Sequence, residues 1–509
     1  ECTHRSDKRN LCERTFVLVY RKLNLLIFSY QHASSEKRGV FYHMQSKTTQ
    51  VKSGFGSKLG FILAAAGSAV GLGNIWRFPY LAAKYGGGMF LLVYLIFAVT
   101  FGFALMATEI AIGRRTGKSV IQAYSDMNCH FKPLGWLAGA IPVIILPYYC
   151  VIGGWVLKYL VIFTTGSGAS AAGDGSYFSN FIGHAGSPML FFAIFILLTA
   201  VVVMLGVQKG VEKVSKLMMP VLLILIVGIS IYTLTLPGAI DGLIYYVKPD
   251  FNQFSIKTVI AAVGQLFYSM SLAMGIMITY GSYMRKEDNI ESSVRQIEVF
   301  DTLVAFLSGL IIVPAVFVFS GGDENALNAG PSLMFITLPN VFKEMLGGQI
   351  VGAVFFLLVV LAAMTSSISL METVVSIVEE RFHWKRIPSC LIVTGISFLI
   401  GLLSVFGYSI WSDFTIFHMQ FLDFFDYISN NIMMPIVALM TCVLVGFVVK
   451  TTFVEDEIEK NTRFRAKGLY RVMIKFICPI CDILVRECRL CNNWFFKVIT
   501  YRFSIVQTA

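Results

Sequence analysis

The sequence predicts an all-α, polytopic membrane protein, and three observations predict it. The 509 residues are 56% hydrophobic and only 14% charged, with a mean hydropathy of +0.71, which excludes a soluble globular chain. Apolar stretches of about 20 residues, the length a helix needs to cross a bilayer, recur from Leu59 to Val449. One of these stretches is interrupted in a way that a simple membrane helix does not tolerate.

That interruption is in the first span, 57–80. Leu59 to Ala69 reads as an ordinary helix, and then Gly71, Gly73, Asn74, Arg77 and Pro79 follow. Glycine costs about 1 kcal/mol in a helix interior and proline about 3, and an arginine at membrane depth is costly as well. The segment predicts a broken helix. Unpaired backbone at that depth is tolerated where it lines a cavity or is buried in protein. The free half-helix ends then serve as ion and anion ligands.

Gly86-Gly87-Gly88 leads into the second span, 88–113. The next spans are expected at 134–162, 188–206 and 215–236, with a Gly, Ser and Ala-rich segment at 164–187 that reads as a flexible external loop. The sixth span, 256–283, is interrupted by Ser269-Met270-Ser271-Leu272-Ala273-Met274-Gly275. Small residues are common on helix-packing faces, but a second break five spans after the first is what an inverted repeat requires. The repeats are then about 57–236 and 256–449. Further spans are expected at 297–320, 341–378, 388–406 and 421–449, and a weaker eleventh at 468–486.

Span seven carries Asp301 near its start, and an intramembrane carboxylate is a functional-site candidate by default. Span eight carries Thr365-Ser366-Ser367 with Ser369. One hydroxyl in a membrane helix usually bonds back to the preceding turn, but three in a row present oxygen on most helix faces. Hard cations want oxygen ligands. No glycine-rich stretch runs into the Lys-Ser/Thr of a phosphate loop. No nucleophile–base pairing appears either, so an enzyme is not expected. Cys478-x2-Cys481 and Cys488-x2-Cys491 mimic a zinc motif, but the spacing of six between the pairs is too short for the usual ribbon.

The net charge of +11 is concentrated at the ends: residues 1–43 carry +4 and residues 450–509 carry +5, leaving +2 for the body. That is not a nucleic-acid footprint. Within the body, Lys52, Lys58, Arg114, Arg115, Lys118, Lys132, Lys209, Lys213, Lys216, Arg285, Lys286, Arg295, Arg381, Lys385 and Arg386 fall in alternate loops. The intervening loops hold few. The positive-inside rule places the N-terminus in the cytoplasm of a plasma-membrane protein. Composition changes at Met44, so 1–43 reads as an upstream or non-native extension of a transporter body at 44–449. Residues 450–509 read as a cytoplasmic linker, the possible eleventh span and an atypical basic tail.

Gly67 through Pro79, Gly86-Gly87-Gly88, Ser269 through Gly275 with Ile278-Thr279-Tyr280, and Thr365-Ser366-Ser367 resemble the neurotransmitter:sodium symporter family, in particular its bacterial amino-acid transporters. The likeness covers about residues 52 to 449. It implies a fold of two inverted five-helix repeats, spans one to five and six to ten, that carries an amino acid with sodium. It also implies two sodium sites. The first uses the carbonyl of Ala69, Asn74, Ser269 and Asp301. The second uses carbonyls of Gly67, Val70 and Ala362 with the hydroxyls of Thr365 and Ser366.

The same resemblance implies that the substrate carboxylate meets the N–H of Gly73 and the hydroxyl of Tyr149. The ammonium meets carbonyls around Ala69, Tyr268 and Ser269, plus Ser271, and Ile145, Tyr149, Tyr268, Met274 and Leu370 line the side-chain pocket. Arg77 and Asp426 close the outer side as an ion pair; Lys52, Phe55 and Glu380 close the inner side. Asp301 stands where chloride-dependent relatives keep a neutral residue, which implies that chloride is not required, although Tyr94 and Gln265 match other chloride-site positions. Ala273-Met274-Gly275, with small Ser271 and Gly154, predicts room for a large neutral side chain. The expected partners are an amino acid and the lipid bilayer, with no nucleic acid and no obligate protein partner. A sodium-leak channel on the same fold and a non-functional frameshifted copy are the alternatives.

Overall fold

The computed structural model describes residues 54–173, 175–319 and 332–483, all within one compact unit, Ser53–Ala509. The expectations for 1–43, for Lys52 and for the basic tail lie outside the described residues. The described chain is helical, with two isolated backbone bridges, Gly87 to Pro249 and Ile416 to Met419. Among the described residues eight helices are long and apolar enough to cross a membrane, and a ninth crossing is a pair, Lys58–Ala69 with Gly73–Lys84, bent by 54°. Ile256–Ser269 and Ile276–Tyr283 form a second broken crossing. An eleventh helix runs from Lys467 through Ile477 to residue 483.

Span one starts where Ser57 caps the helix, its side chain accepting from the N–H of Gly60. It stops at Val70, whose extended backbone (φ −72°, ψ 104°) leaves the helix. The second half restarts at Gly73 with a π-helical turn through Arg77, and Pro79 follows directly after it, at the second residue of Phe78–Lys84, since a π turn accommodates the missing N–H inside a helix. Span six breaks over Met270–Gly275, and Ser271, Ala273 and Gly275 all adopt positive φ (52°, 61° and 76°). A non-glycine residue held there carries strain of order 1–3 kcal/mol. Two such residues in one turn mark a backbone shaped by its surroundings.

Most spans fall where the sequence places them, but span seven begins at Ile290 rather than 297 and span eight at Gly348 rather than 341, and three further points differ. Span five begins at Val207, eight residues earlier than expected, because Gln208, Lys209 and Glu212 mask its first turns in hydropathy. The segment 164–187 is not a bare loop. It holds short helices at Gly168–Ala172 and Tyr177–Gly183, with Phe178 and Phe181 buried and Phe178 edge-on to Trp155. Gly154 is not at the side-chain pocket but at the contact of spans three and four, where a Cβ would lie 2.6 Å from the Phe192 backbone nitrogen.

Spans two (Gly88–Thr116) and six touch backbone to backbone. A Cβ on Gly113 would lie 1.9 Å from the Ile278 carbonyl, and one on Gly281 would lie 2.4 Å from that of Ile110. Small residues permit this close approach between membrane helices.

Candidate transport site

The two breaks face each other at the centre of the bundle, and span seven brings a carboxylate to them. Asp301 is fully buried. Asn74 Nδ2 donates to its Oδ1 (2.7 Å) and to its carbonyl (3.2 Å). Ser269 Oγ lies 2.9 and 3.0 Å from its two carboxylate oxygens, and the Tyr94 hydroxyl donates to Oδ2 at 3.2 Å. One carboxylate therefore ties span two, both broken helices and span seven together. Gln265 does not join it; its amide donates to the carbonyl of Gly73 (3.0 Å) and braces the break in span one.

The second oxygen cluster lies between the end of the first half of span one and span eight (Gly348–Phe382). Ser366 Oγ has the carbonyls of Ser68, Val70 and Ala362 at 3.2 Å and that of Gly67 at 3.4 Å. Thr365 Oγ1 lies 3.0 Å from the Ala362 carbonyl. One hydroxyl among four carbonyls, with a second beside it, is an all-oxygen donor set of the kind a hard monovalent cation takes. The structure thus brings together the residues expected for this cluster: Gly67, Val70, Ala362, Thr365 and Ser366. Of the first set, Asn74, Ser269 and Asp301 meet directly. Ala69 lines the cavity beside them.

That cavity has a free volume of ≈ 30 Å³, room for about two waters. Ala69, Gly73, Ile145, Tyr149, Tyr268, Ser271, Met274 and Leu370 line it, as expected, along with Ser68, Gly71, Leu72, Ile276 and Ser366. Ser269 sits behind it on Asp301. The Tyr149 hydroxyl accepts from the N–H of Leu72 at 3.4 Å, so it reaches the freed backbone at the break. Ser271 Oγ donates to the carbonyl of Ser68 at 2.8 Å, linking the two unwound segments. No Lys, Arg, Asp or Glu side chain lines the cavity.

At the outer end, Arg77 lies over the Tyr268 ring, 5.2 Å from its centroid. Asp426 accepts from Asn430 (2.6 Å) and from the Tyr148 hydroxyl (3.3 Å). The two charges do not form an ion pair with each other among the described contacts. At the other end, Phe55 is buried edge-on against Phe61, Tyr280 and Tyr283, and its N–H donates to the carbonyl of Tyr283 (3.0 Å). Glu380 accepts from the N–H of Ser119 at 2.6 Å.

Two charged elements were not singled out from sequence. Glu109, buried in span two, accepts from the N–H of Ala273 at 2.7 Å and so holds the strained turn of span six. The signal for it was the same as for Asp301, a carboxylate inside an apolar span. Glu372, buried in span eight, pairs with Arg386 and accepts from the Tyr283 hydroxyl at 2.9 Å. Arg386 was visible only as a loop charge. Among the described residues no group of His, Cys, Asp or Glu could hold a metal ion, and Cys478 and Cys481 are free; Cys488 and Cys491 lie outside them.

Two discontinuous helices around a small buried cavity, flanked by oxygen clusters, define a multi-pass membrane transporter. The comparisons agree. Residues 52–171 and 175–505 match the sodium:neurotransmitter symporter family, and the chain belongs to it. An uncharacterized sodium-dependent transporter of Bacillus subtilis is 34% identical over 436 residues, covering 84% of this chain and 96% of that protein. The human sodium- and chloride-dependent GABA transporter 2 is 24% identical over 503 residues, 88% of this chain and 82% of its own. The crystal structure of MhsT in complex with L-phenylalanine superposes with a TM-score of 0.76 at 34% identity, covering 85% of this chain and 99% of that one. The resemblance read from the motifs, the helical fold and the sodium dependence of the family are thereby established.

Proposed function

We propose that this transporter couples two sodium ions to the uptake of a neutral, large hydrophobic or aromatic amino acid by alternating access, without a need for chloride. The observation that carries the substrate class is the cavity lining. Backbone of both breaks and the Tyr149 hydroxyl share the lining with Ile145, Met274, Ile276 and Leu370, and no charged side chain lies among them. Half-helix dipoles suit the carboxylate and ammonium of an amino acid. An acidic or basic side chain would enter such a wall unpaired, which is costly. Methionine adapts to irregular shapes and favours aromatic contacts. That MhsT was crystallised with L-phenylalanine supports the same class.

The sodium ions are cargo, held by the two oxygen sets. Asp301 supplies beside the first ion the negative charge that a chloride ion would otherwise bring. The N-terminus is cytoplasmic, from the alternation of basic loops. At ≈ 30 Å³ the cavity does not admit an amino-acid side chain, so the lining has to spread, and the strained turn at Ser271–Gly275 is where it gives.

Competition of labelled leucine uptake into proteoliposomes, with and without sodium, tests the reading. Tryptophan, tyrosine, phenylalanine and leucine should compete ahead of glycine, and glutamate should not compete. Preference for glycine or an acidic amino acid would defeat the substrate class. Sodium current without substrate would favour a leak channel.

A further inference from the structure

A second and larger cavity, ≈ 400 Å³, opens where the chain enters span one. The start of span five supplies most of its wall: Lys209, Glu212, Lys213 and Lys216. Positions 209, 213 and 216 are spaced i, i+4 and i+7, which places them on one helix face. Glu212 is already satisfied. It accepts from Lys216 (2.7 Å), from the N–H of Gly56 (2.7 Å) and from the Ser57 hydroxyl (2.8 Å). Lys209 and Lys213 are exposed and have no ion pair or hydrogen bond among the described residues. The cavity therefore carries two uncompensated positive charges.

Exposed leucines lie close to it in the chain. Leu205 and Leu217, on the same stretch as the lysines, are 58% and 69% exposed, and Leu59, two residues after the Ser57 cap, is 56% exposed. Lysines beneath exposed leucines at the end of a membrane span occupy the level at which a bilayer changes from headgroup to hydrocarbon. Two lysines one helical turn apart on the wall of one open depression put two ammonium groups within reach of one anion.

We propose that this cavity binds the phosphate headgroup of an anionic phospholipid. Lys209 and Lys213 meet the phosphate oxygens, and the acyl chains lie along Leu205, Leu217 and Leu59. Glu212 joins the same wall to Gly56 and Ser57, so a bound headgroup braces the base of span one at the closed end of the site. A basic residue near the surface strengthens anionic-lipid binding by about fivefold, so removing both lysines should weaken it roughly thirtyfold.

The test uses the full chain in nanodiscs of phosphatidylcholine, alone or with a minority of phosphatidylglycerol. Retained lipid is counted by native mass spectrometry and stability is read from the melting temperature. The wild type should retain phosphatidylglycerol and melt higher with it. Lys209→Gln with Lys213→Gln should lose both effects, whereas Lys209→Arg with Lys213→Arg should keep them. Lys248→Gln with Lys257→Gln, which removes two exposed charges elsewhere, should also keep them. Inorganic phosphate added to detergent-solubilised protein should give no shift. Equal lipid retention by the wild type and the glutamine pair would overturn the proposal. So would a shift from phosphate alone that the glutamine pair abolishes, since the cavity would then be a site for a free anion.

Discussion

Replacing Thr365 with Val and Ser366 with Ala separates sodium coupling from folding. The change keeps the approximate shape of span eight and removes both hydroxyls facing the carbonyls of Gly67, Val70 and Ala362. Two losses are expected, and they differ in size. Without an ion, each hydroxyl contributes as an ordinary hydrogen bond, about 1 kcal/mol of stability. Bonded to a cation, each is a ligand to a charge, worth about 1.5–3 kcal/mol. The sodium site weakens by the difference between the two losses, roughly 1–4 kcal/mol for the pair, a factor of about 5 to 10³ in affinity. The valine methyl takes the place of a hydroxyl that lies 3.0 Å from the Ala362 carbonyl, closer than a carbon sits comfortably, so the double variant should melt slightly earlier. The assay is a sodium titration of leucine uptake in proteoliposomes, paired with the melting temperature in sodium and in potassium. Uptake should collapse, and the sodium-dependent part of the melting temperature should vanish while the protein still folds. An unchanged half-saturating sodium concentration would refute the assignment of this oxygen cluster.

Substituting gluconate for chloride should leave wild-type uptake unchanged, while Asp301→Asn should lower uptake by roughly tenfold or more as the charge-assisted bonds from Asn74, Ser269 and Tyr94 weaken, with chloride restoring part; strong chloride dependence of the wild type contradicts this. Gly71→Ala would place a Cβ 2.7 Å from Ser366 Oγ and 3.0 Å from the Tyr149 hydroxyl, so uptake should be lost with both sodium and substrate binding impaired, as equilibrium binding of labelled leucine would show. Near the eleventh helix, burial raises the Glu455 carboxyl, but bonds from Arg471 (both 2.7 Å) and the nearby Lys467 outweigh it and hold the group at about 2. A depressed carboxyl contributes stability that is present above its ordinary value of 4.5 and lost as pH falls from there towards 2. Arg471→Ala should erase that acid-side slope in a pH series of melting temperatures, and a slope identical to wild type would remove Arg471 as its cause.

The features legible in the sequence were those that break a rule of membrane chemistry. Gly71, Gly73, Asn74, Arg77 and Pro79 cannot sit in one continuous membrane helix, and the bend falls there. Asp301 and the hydroxyls of span eight were conspicuous for the same reason. Features that follow the rules were hidden. Glu109 is one carboxylate in a long apolar run, and its partner is a backbone N–H more than 160 residues away, which leaves no trace in side-chain pattern. The start of span five was lost because its charges face the end of the bundle. The helices within 164–187 were missed because their aromatic anchors are separated by small polar residues that mimic a loop. Gly154 was read by size alone, and size does not say which neighbour requires it. Arg77 and Asp426 illustrate the limit of carrying a pairing by position. Each is held by its own neighbour, Arg77 by the ring of Tyr268 and Asp426 by Asn430.

Coupling requires that some helices move as a unit and that others hold still, and the glycine contacts divide them. Spans two and six meet through Gly113 and Gly281 with no side chain between their backbones, and Glu109 adds a bond from span two to the strained turn at Ala273. Such a junction cannot slide without a clash, so these two spans should travel together. Span one meets span eight differently, through oxygen atoms at Ser366 that a cation can bridge and whose separation costs little without it. At the proposed sodium site, a bound ion would tie span one to span eight, whereas the span two–six contact needs no ion. Gly113→Ala forces a methyl to 1.9 Å from the Ile278 carbonyl, so it should separate the pair, lower the melting temperature markedly and abolish uptake. Overpacking of this kind costs about 1–3 kcal/mol or more. Gly395→Ala, in span nine with nothing within 4 Å of the new methyl, should leave uptake intact and stabilise the helix by up to about 1 kcal/mol. If the two substitutions have the same effect on melting and transport, spans two and six are not the rigid unit that their backbone contact implies.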